Sequence, residues 1–307
     1  MKNSSSSVSL APDVVIAGAP RSGTTSLYTY LKAHPSVCGS EPKETLFLLD
    51  DGYPLSVEER SVRRLGVDGY RHFFPGFRSA QHDVLMEATP DYLYQDTARE
   101  FLAARENVKI IFILRRPQDR VLSVFSFAQN RTGTLPSDLS FTDYIASVRD
   151  GSIDSDDVIL SDSLGQSRYI DHLQRWIDDI GQDRILVLKF EDMQSDPRAT
   201  MYEIASFVGL DPAFYDDFPF SVVNSSHRPR LARIDHLIRR AVRPVRHLEM
   251  YNRIKARIRP LYSSMQGVNA ASTGGLDVSP QDEWLAEYFA DANRRLQATT
   301  GLDVGSW

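Results

Sequence analysis

The stretch DVVIAGAPRSGTTSLYTYLKAHP (13–35) limits what this 307-residue chain can fold into more than any other. DVVIAGA is a short apolar run with β-branched residues between Pro12 and Pro20, which predicts a buried strand. From Gly23 onward Leu27, Tyr30 and Leu31 share one helical face, and the helix is expected to end before Pro35. Strand, glycine turn and helix in succession aim unpaired helix N–H groups at the turn, an anion-binding arrangement. GAPRSGTT (18–25) has the spacing of a phosphate-binding loop. ATP- and GTP-using loops place there a lysine that reaches the outer phosphates. Here that position holds Thr24, and the cation comes earlier, at Arg21. Hydroxyls at Thr24 and Thr25 with Arg21 fit a leaving group joined through a single phosphate, with no metal bridging two phosphates. A glycine turn after a strand also serves packing alone, so the ligand rests on a second signal.

The alternation recurs downstream. DVLMEAT (83–89), NVKIIFILR (107–115) and DRILVLKFED (183–192) read as strands. DTAREFLAARE (96–106), PQDRVLSVFSFAQNR (117–131), IDHLQRWIDDI (170–180) and DPRATMYEIASFVGL (196–210) read as helices, with Pro117 in a first turn and a stop near Gly209. The expected class is α/β, a P-loop-containing parallel sheet with helices on both faces. Residues 1–12 read as a flexible serine-rich tail and 13–307 as one domain.

With 42% hydrophobic and 25% charged residues, the chain carries an ordinary globular core. A net charge of −6 argues against nucleic-acid binding. The single cysteine, Cys38, excludes an internal disulfide framework and suits a reducing compartment, with a small buried thiol as its expected role. The tail lacks the apolar centre of a secretory signal, and VKIIFIL is far shorter than the ~18 residues of a membrane span. A cytoplasmic location follows as an expectation. One segment reverses the charge: residues 228–259 hold eleven Lys and Arg against Asp235 and Glu249. It reads as solvated basic helices (about 225–262), or as a flap over an anion, or as a dock for an acidic partner or membrane surface.

The second signal is LRRPQDRVLS (114–123). It puts Arg115 at the carboxyl end of a buried strand and Ser123 within the next helix, a second anion clamp where open α/β sheets bind ligands. Surface salt bridges of Arg115, Arg116 and Arg120 are the plainer alternative. Two anion sites on neighbouring strands suggest a nucleotide phosphorylated at two places. Here the sequence resembles the sulfotransferases that use 3′-phosphoadenosine-5′-phosphosulfate (PAPS), in particular the heparan-sulfate type and its stand-alone bacterial relatives. PRSGTTSLYTYLKAHP, EPKETLFLL, GYRHFFP, MEATPDYLY and KIIFILRRPQDRVLSVF carry the resemblance, with YIDHLQRWIDDIGQDRILVLKFEDMQSDP and the closing YFADANRRLQATTGLDVGSW.

The resemblance implies that Arg21, Ser22, Gly23, Thr24, Thr25 and Ser26 cradle the 5′-phosphosulfate while Arg115 and Ser123 bind the 3′-phosphate. It implies PAPS as donor, 3′,5′-adenosine bisphosphate as product and no required metal. Glu44 takes the place of the family's proposed base, with Lys43 beside it; Glu87 and Asp91 are weaker alternatives. Tyr169 falls near the adenine or acceptor, although a tyrosine on an amphipathic helix is ordinarily core. Arg228 and Arg230 fall where relatives close a loop over the nucleotide. His34 reads as a helix-end cap. The sequence departs from many relatives at Arg21 (lysine), which keeps the charge but not the compact reach, and at Leu46 (histidine in many) and Ala88 (lysine in some), which removes polar groups from the acceptor side. A soluble, bacterial-type enzyme with a small-molecule, lipid or carrier-tethered acceptor is the expectation. Its rivals are a P-loop kinase or nucleotide hydrolase and an inactive nucleotide-binding protein. The oligomeric state is not legible.

Overall fold

The computed structural model describes residues 11–78, 81–153, 157–220 and 279–307, with the side chains of 279–281 excepted. The basic segment, with Arg228 and Arg230, lies outside the described residues. Its expected helices are therefore not part of the fold below.

The apolar runs form five strands: β1 (Val14–Gly18), β2 (Val37–Gly39), β3 (Val84–Ala88), β4 (Lys109–Leu114) and β5 (Ile185–Lys189). They pair in the order β2-β3-β1-β4-β5, every neighbour parallel. The helices are α1 (Thr24–Lys32), α2 (Val62–Leu65), α3 (Asp96–Ala103), α4 (Pro117–Phe127) and α5 (Phe141–Arg149). They continue with α6 (Val158–Ser161), α7 (Tyr169–Ile180), α8 (Phe190–Ser195), α9 (Pro197–Val208) and α10 (Ser279–Thr300). The edge strand β2 is too short for a periodicity signal. DRILVLKFED is half strand: pairing stops at Lys189, and Phe190 begins α8. Ala11 packs on the core and Pro12 is buried, two residues earlier than the expected end of the tail.

Alternation along the strands sorts the core into two faces. Val15 and Ala17 of β1, with Ile110, Phe112 and Leu114 of β4, meet Ala98 and Leu102 of α3 and Leu173 and Trp176 of α7. On that face Trp176 donates its indole N–H to the Leu93 carbonyl at 3.1 Å and meets Phe112 edge-on. Val14 and Ile16, with Ile111 and Ile113, meet Leu27 and Leu31 of α1 and Met201 and Ile204 of α9. A third cluster joins α4 to α5 and α10 through Val124, Phe125, Phe141 and Phe289. Cys38 is a buried free thiol, as expected.

The chain leaves β1 toward the α1 side and leaves β4 toward the α10 side. Between β1 and β4 the connections diverge, and that divergence opens a crevice at the carboxyl ends of these strands. Two left-handed residues, Arg21 (φ 70°) and Gly23 (φ 86°), turn the chain from β1 into α1. The ring of Phe190 lies against Gly23 so closely that a Cβ there would stand 2.5 Å from its Cδ2.

This predicts a graded pair of substitutions. Gly52 also has positive φ (80°), but nothing lies within 4 Å of a Cβ there. Gly52→Ala is expected to cost only left-handed strain, about 1–2 kcal/mol. Gly23→Ala adds the collision with Phe190 and is expected to cost more, read as a larger drop in urea midpoint. Equal losses in the two variants would show that the Phe190 contact does not hold the loop.

Candidate active site

The loop Ala19–Gly23 is fixed from below. Ala19 N–H donates to the Ile113 carbonyl of β4 at 2.8 Å, and Ser22 N–H to the Ala19 carbonyl at 3.3 Å. Ser22 is fully buried, Thr24 and Ser26 are buried, and Thr25 is half-buried. No side chain caps α1 and no acid occupies its first turn. Its N-terminus therefore keeps the partial positive charge that suits an anion.

The loop meets the helix that carries Ser123. Arg21 Nε donates to Ser123 Oγ at 3.3 Å, and the Arg21 guanidinium stacks 4.2 Å from the centre of the Phe127 ring. Burial pulls the Arg21 pKa down to about 10, and the charges of Arg115, Arg131 and Arg120 act in the same direction. Arg21 thus stays protonated at neutral pH in a field made by other cations.

The three arginines of LRRPQDR divide in role. Arg116 pairs with Asp282 at 3.2 Å, and its backbone N–H donates to Glu191 at 2.9 Å. Arg120 is fully buried and donates only to neutral oxygens: Pro20 O at 3.0 Å, Ser163 O at 3.2 Å, Ser167 Oγ at 2.8 Å and Gln166 Oε1 at 3.1 Å. It ties the phosphate loop to the segment before α7. Arg115 lies over the Phe190 ring at 5.3 Å. Among the described residues, no ion pair engages Arg21, Arg115 or Arg131. The salt-bridge alternative accounts for Arg116 alone.

Tyr169 is buried, and its hydroxyl donates to the Arg115 carbonyl at 2.9 Å. Its surroundings are those of a core tyrosine that fixes the backbone of Arg115.

On the other side of β1, the segment Ser40–Thr45 is stitched to the end of β3. Ala88 N–H donates to the Lys43 carbonyl at 3.3 Å, and Lys43 Nζ to the Ala88 carbonyl at 3.5 Å. Glu44 is exposed over 46% of its side chain and pairs with Lys43 at 2.9 Å. Beneath it Glu87 is fully buried and accepts from Thr45, from Tyr70 at 2.8 Å and from Tyr92 at 3.4 Å. Leu46 follows with φ 58°, a strained conformation for a leucine that these bonds hold in place. Asp91 is buried and accepts from Tyr53 at 2.7 Å; burial raises its pKa, and the charges of Glu44 and Asp157 add to the rise. Beside this pair opens a cavity of about 390 Å³ lined by Asp50, Tyr53, Tyr94, Gln95, Asp162 and His172. His34 is buried; its Nδ1 accepts from Ser36 N–H in the turn after α1, away from the crevice.

The sequence reading did not single out Phe127, Phe190, Arg131 or Tyr53. Arg120 was expected at the surface only under the salt-bridge alternative, and it is fully buried. Arg120 precedes the buried Val124 by four positions, so helical spacing alone places it on the inward face of α4.

Burial pushes the Glu87 pKa from its ordinary 4.5 to about 7, against the pull of its three hydroxyl donors. Between these values the folded state holds a proton that the unfolded chain has released, so this group lowers stability as pH rises. Below the window it adds no slope, and above it the cost is constant. Glu87→Gln is expected to remove this slope, so that the variant gains on the parent between pH 5 and 7.5 in urea unfolding. Parallel profiles would place the Glu87 titration elsewhere.

The sulfotransferase domain model matches residues 11–217, more than half of the chain. The human bifunctional heparan sulfate N-deacetylase/N-sulfotransferase 3 is 26% identical over 205 residues, 66% of this chain and 23% of that protein. The mouse bifunctional heparan sulfate N-deacetylase/N-sulfotransferase 2 is 29% identical over 208 residues, with 66% and 22% covered. The chain thus spans under a quarter of these relatives' length. The crystal structure of a sulfotransferase from Alicyclobacillus acidocaldarius has the same fold, with a TM-score of 0.65, 21% identity and coverage of 97% and 98% of the two chains. The chain belongs to the sulfotransferase domain family, whose reaction is sulfuryl transfer.

Proposed function

We propose that the chain moves the sulfuryl group of PAPS to a hydroxyl, or with less support an amine, of a small-molecule, lipid or carrier-tethered acceptor. The Arg21–Ser123 hydrogen bond is the observation that carries this reading. Two anion sites expected on separate strands form one continuous site, rich in arginine and without a carboxylate partner for Arg21 or Arg115 among the described residues. That donor set suits a nucleotide with phosphate at both ends.

In this reading Arg21 to Ser26 and the N-terminus of α1 hold the 5′-phosphosulfate, and Arg115 and Ser123 hold the 3′-phosphate. Bound there, PAPS supplies the transferable sulfuryl group. Arg21 and the loop N–H groups offset the charge that grows on the 5′-phosphate oxygen as transfer proceeds. Tyr169 keeps Arg115 in register from below. Glu44 accepts the acceptor's proton, and Lys43 holds its carboxylate at the crevice. Glu87 is enclosed by hydroxyl groups, which favours Glu44. The cavity beside Tyr53 and Asp91 is of the size that takes a small molecule. Arg228, Arg230 and docking of an acidic partner at 228–259 stay with this proposal as additional contacts. No helix among the described residues is long and apolar enough to cross a membrane. Placement in the cytoplasm draws its support from the buried free thiol of Cys38.

A kinase or nucleotide hydrolase is not favoured, because Thr24 stands in place of the lysine and the family is that of sulfotransferases. An inactive binding protein would bind 3′,5′-adenosine bisphosphate yet transfer no label from PAPS to any acceptor.

Calorimetry with 3′,5′-adenosine bisphosphate in the absence of metal tests the site. Arg115→Ala is expected to lower its affinity about 10–100-fold, toward that of 5′-AMP. An unchanged preference for the 3′-phosphorylated nucleotide would remove Arg115 from the clamp. An acceptor screen with labelled donor tests the chemistry: Glu44→Gln is expected to keep nucleotide affinity and lose about 10²-fold or more of turnover. Parental turnover in that variant would move the base to another residue.

A further inference from the structure

Helix α4 does not stop at Phe127. It continues into a π-helical turn, Ala128–Thr132, closed by Gly133 at φ 64°. Wide turns of this kind recur at functional sites because they rotate the following residues relative to an ordinary helix. An α-turn takes 3.6 residues, and the wider turn adds about one more. Two turns from Ser123 therefore come to about eight residues, which brings Arg131 back to the face that carries Ser123 and Phe127.

That face is the one turned to Arg21. Ser123 accepts from Arg21 Nε, Phe127 stacks on its guanidinium, and the charge of Arg131 reaches it as well. Ser123, Phe127 and Arg131 thus form a stripe along Arg21. The turn is braced: Gln129 donates to the Pro136 and Leu139 carbonyls, both at 3.0 Å, and Thr132 to the Ala128 carbonyl at 3.1 Å. Arg131 is exposed, and no ion pair holds it among the described residues. A cation kept beside another cation on a braced turn, with no acid to neutralise either, points to an anion between them.

The order along the stripe says which anion. Arg115 and Ser123 sit at the near end, with the 3′-phosphate in the proposed reading. Arg131 lies about 12 Å farther along the helix axis, past Arg21, on the side where the 5′-phosphosulfate ends and the acceptor arrives. We propose that Arg131 grips the sulfuryl end of the donor from the acceptor side, a contact made to PAPS and absent with 3′,5′-adenosine bisphosphate. This rests on the donor assignment above and adds a residue to it.

The test compares the two nucleotides on the same proteins by calorimetry. Parent, Arg131→Ala and Arg131→Lys are titrated with PAPS and with 3′,5′-adenosine bisphosphate, and urea unfolding checks that each variant is folded. The expected result is about a tenfold loss of PAPS affinity in Arg131→Ala, no change for the bisphosphate and partial recovery in Arg131→Lys. An unchanged affinity ratio in Arg131→Ala overturns the proposal, and so does an equal loss for both nucleotides. If the parent itself does not prefer the bisphosphate to 5′-AMP, the donor assignment fails first, which separates the two ideas.

Discussion

The charges of Arg115, Arg131 and Arg120 all act on Arg21, after burial the next causes that lower its pKa. Like charges so placed repel, and the fold holds them by three different means. Arg120 is bound by neutral oxygens on every side, so its charge is buried but solvated by dipoles. Arg21 lies on the Phe127 ring and Arg115 on the Phe190 ring. Arg131 remains in water. Among the described residues no acid pairs with Arg21, Arg115 or Arg131, and a polyanion at the crevice would relieve the repulsion that Arg21 meets there. An arginine-rich crevice is thus a consequence of how these side chains are packed, and the proposed nucleotide, with phosphate at both ends, matches its sign.

The sheet makes this packing feasible. Because β1 and β4 are parallel neighbours, their carboxyl ends bring the loop and Arg115 side by side before the chain leaves toward α1 on one side and α4 on the other. Arg120 then ties them together by donating to the Pro20 carbonyl from within α4. Phe190, the first residue after β5, closes the gap over Gly23. The connections after β1, β4 and β5 are therefore in direct contact around the crevice.

What the sequence made legible follows from how local the signals are. β1, the loop and α1 were readable because apolar run, left-handed turn and helical face occupy contiguous residues. Arg115 and Ser123 were readable for the same reason. The Glu87 network was not, since its donors Thr45, Tyr70 and Tyr92 come from three segments that only the fold assembles. β2 and α8 were lost in runs too short for periodicity to declare itself. Tyr169 shows an ambiguity that sequence alone leaves open: it is core by burial, and through the Arg115 carbonyl it also bears on the site. The stripe of Ser123, Phe127 and Arg131 depends on a π-turn, and a regular helical wheel would have set Arg131 to one side.

The departures at Ala88 and Leu46 bear on the acceptor. A side-chain cation at position 88 would stand at the end of β3; instead Ala88 is fully buried and offers only its backbone. Lys43 bonds that backbone and at the same time pairs with Glu44, so the cation on this side comes from the loop rather than from the strand. Leu46, held at positive φ, packs against the core where a histidine would have offered a ring nitrogen. Both positions therefore lack a polar side chain, while the crevice between β1 and β4 is rich in arginine. Besides Lys43, the polar groups on this side include the Tyr53–Asp91 pair and the carboxylates of Asp50, Asp51 and Asp162 in the adjoining cavity. Were the proposed acceptor to enter by this cavity, the carboxylates there would disfavour a polyanion.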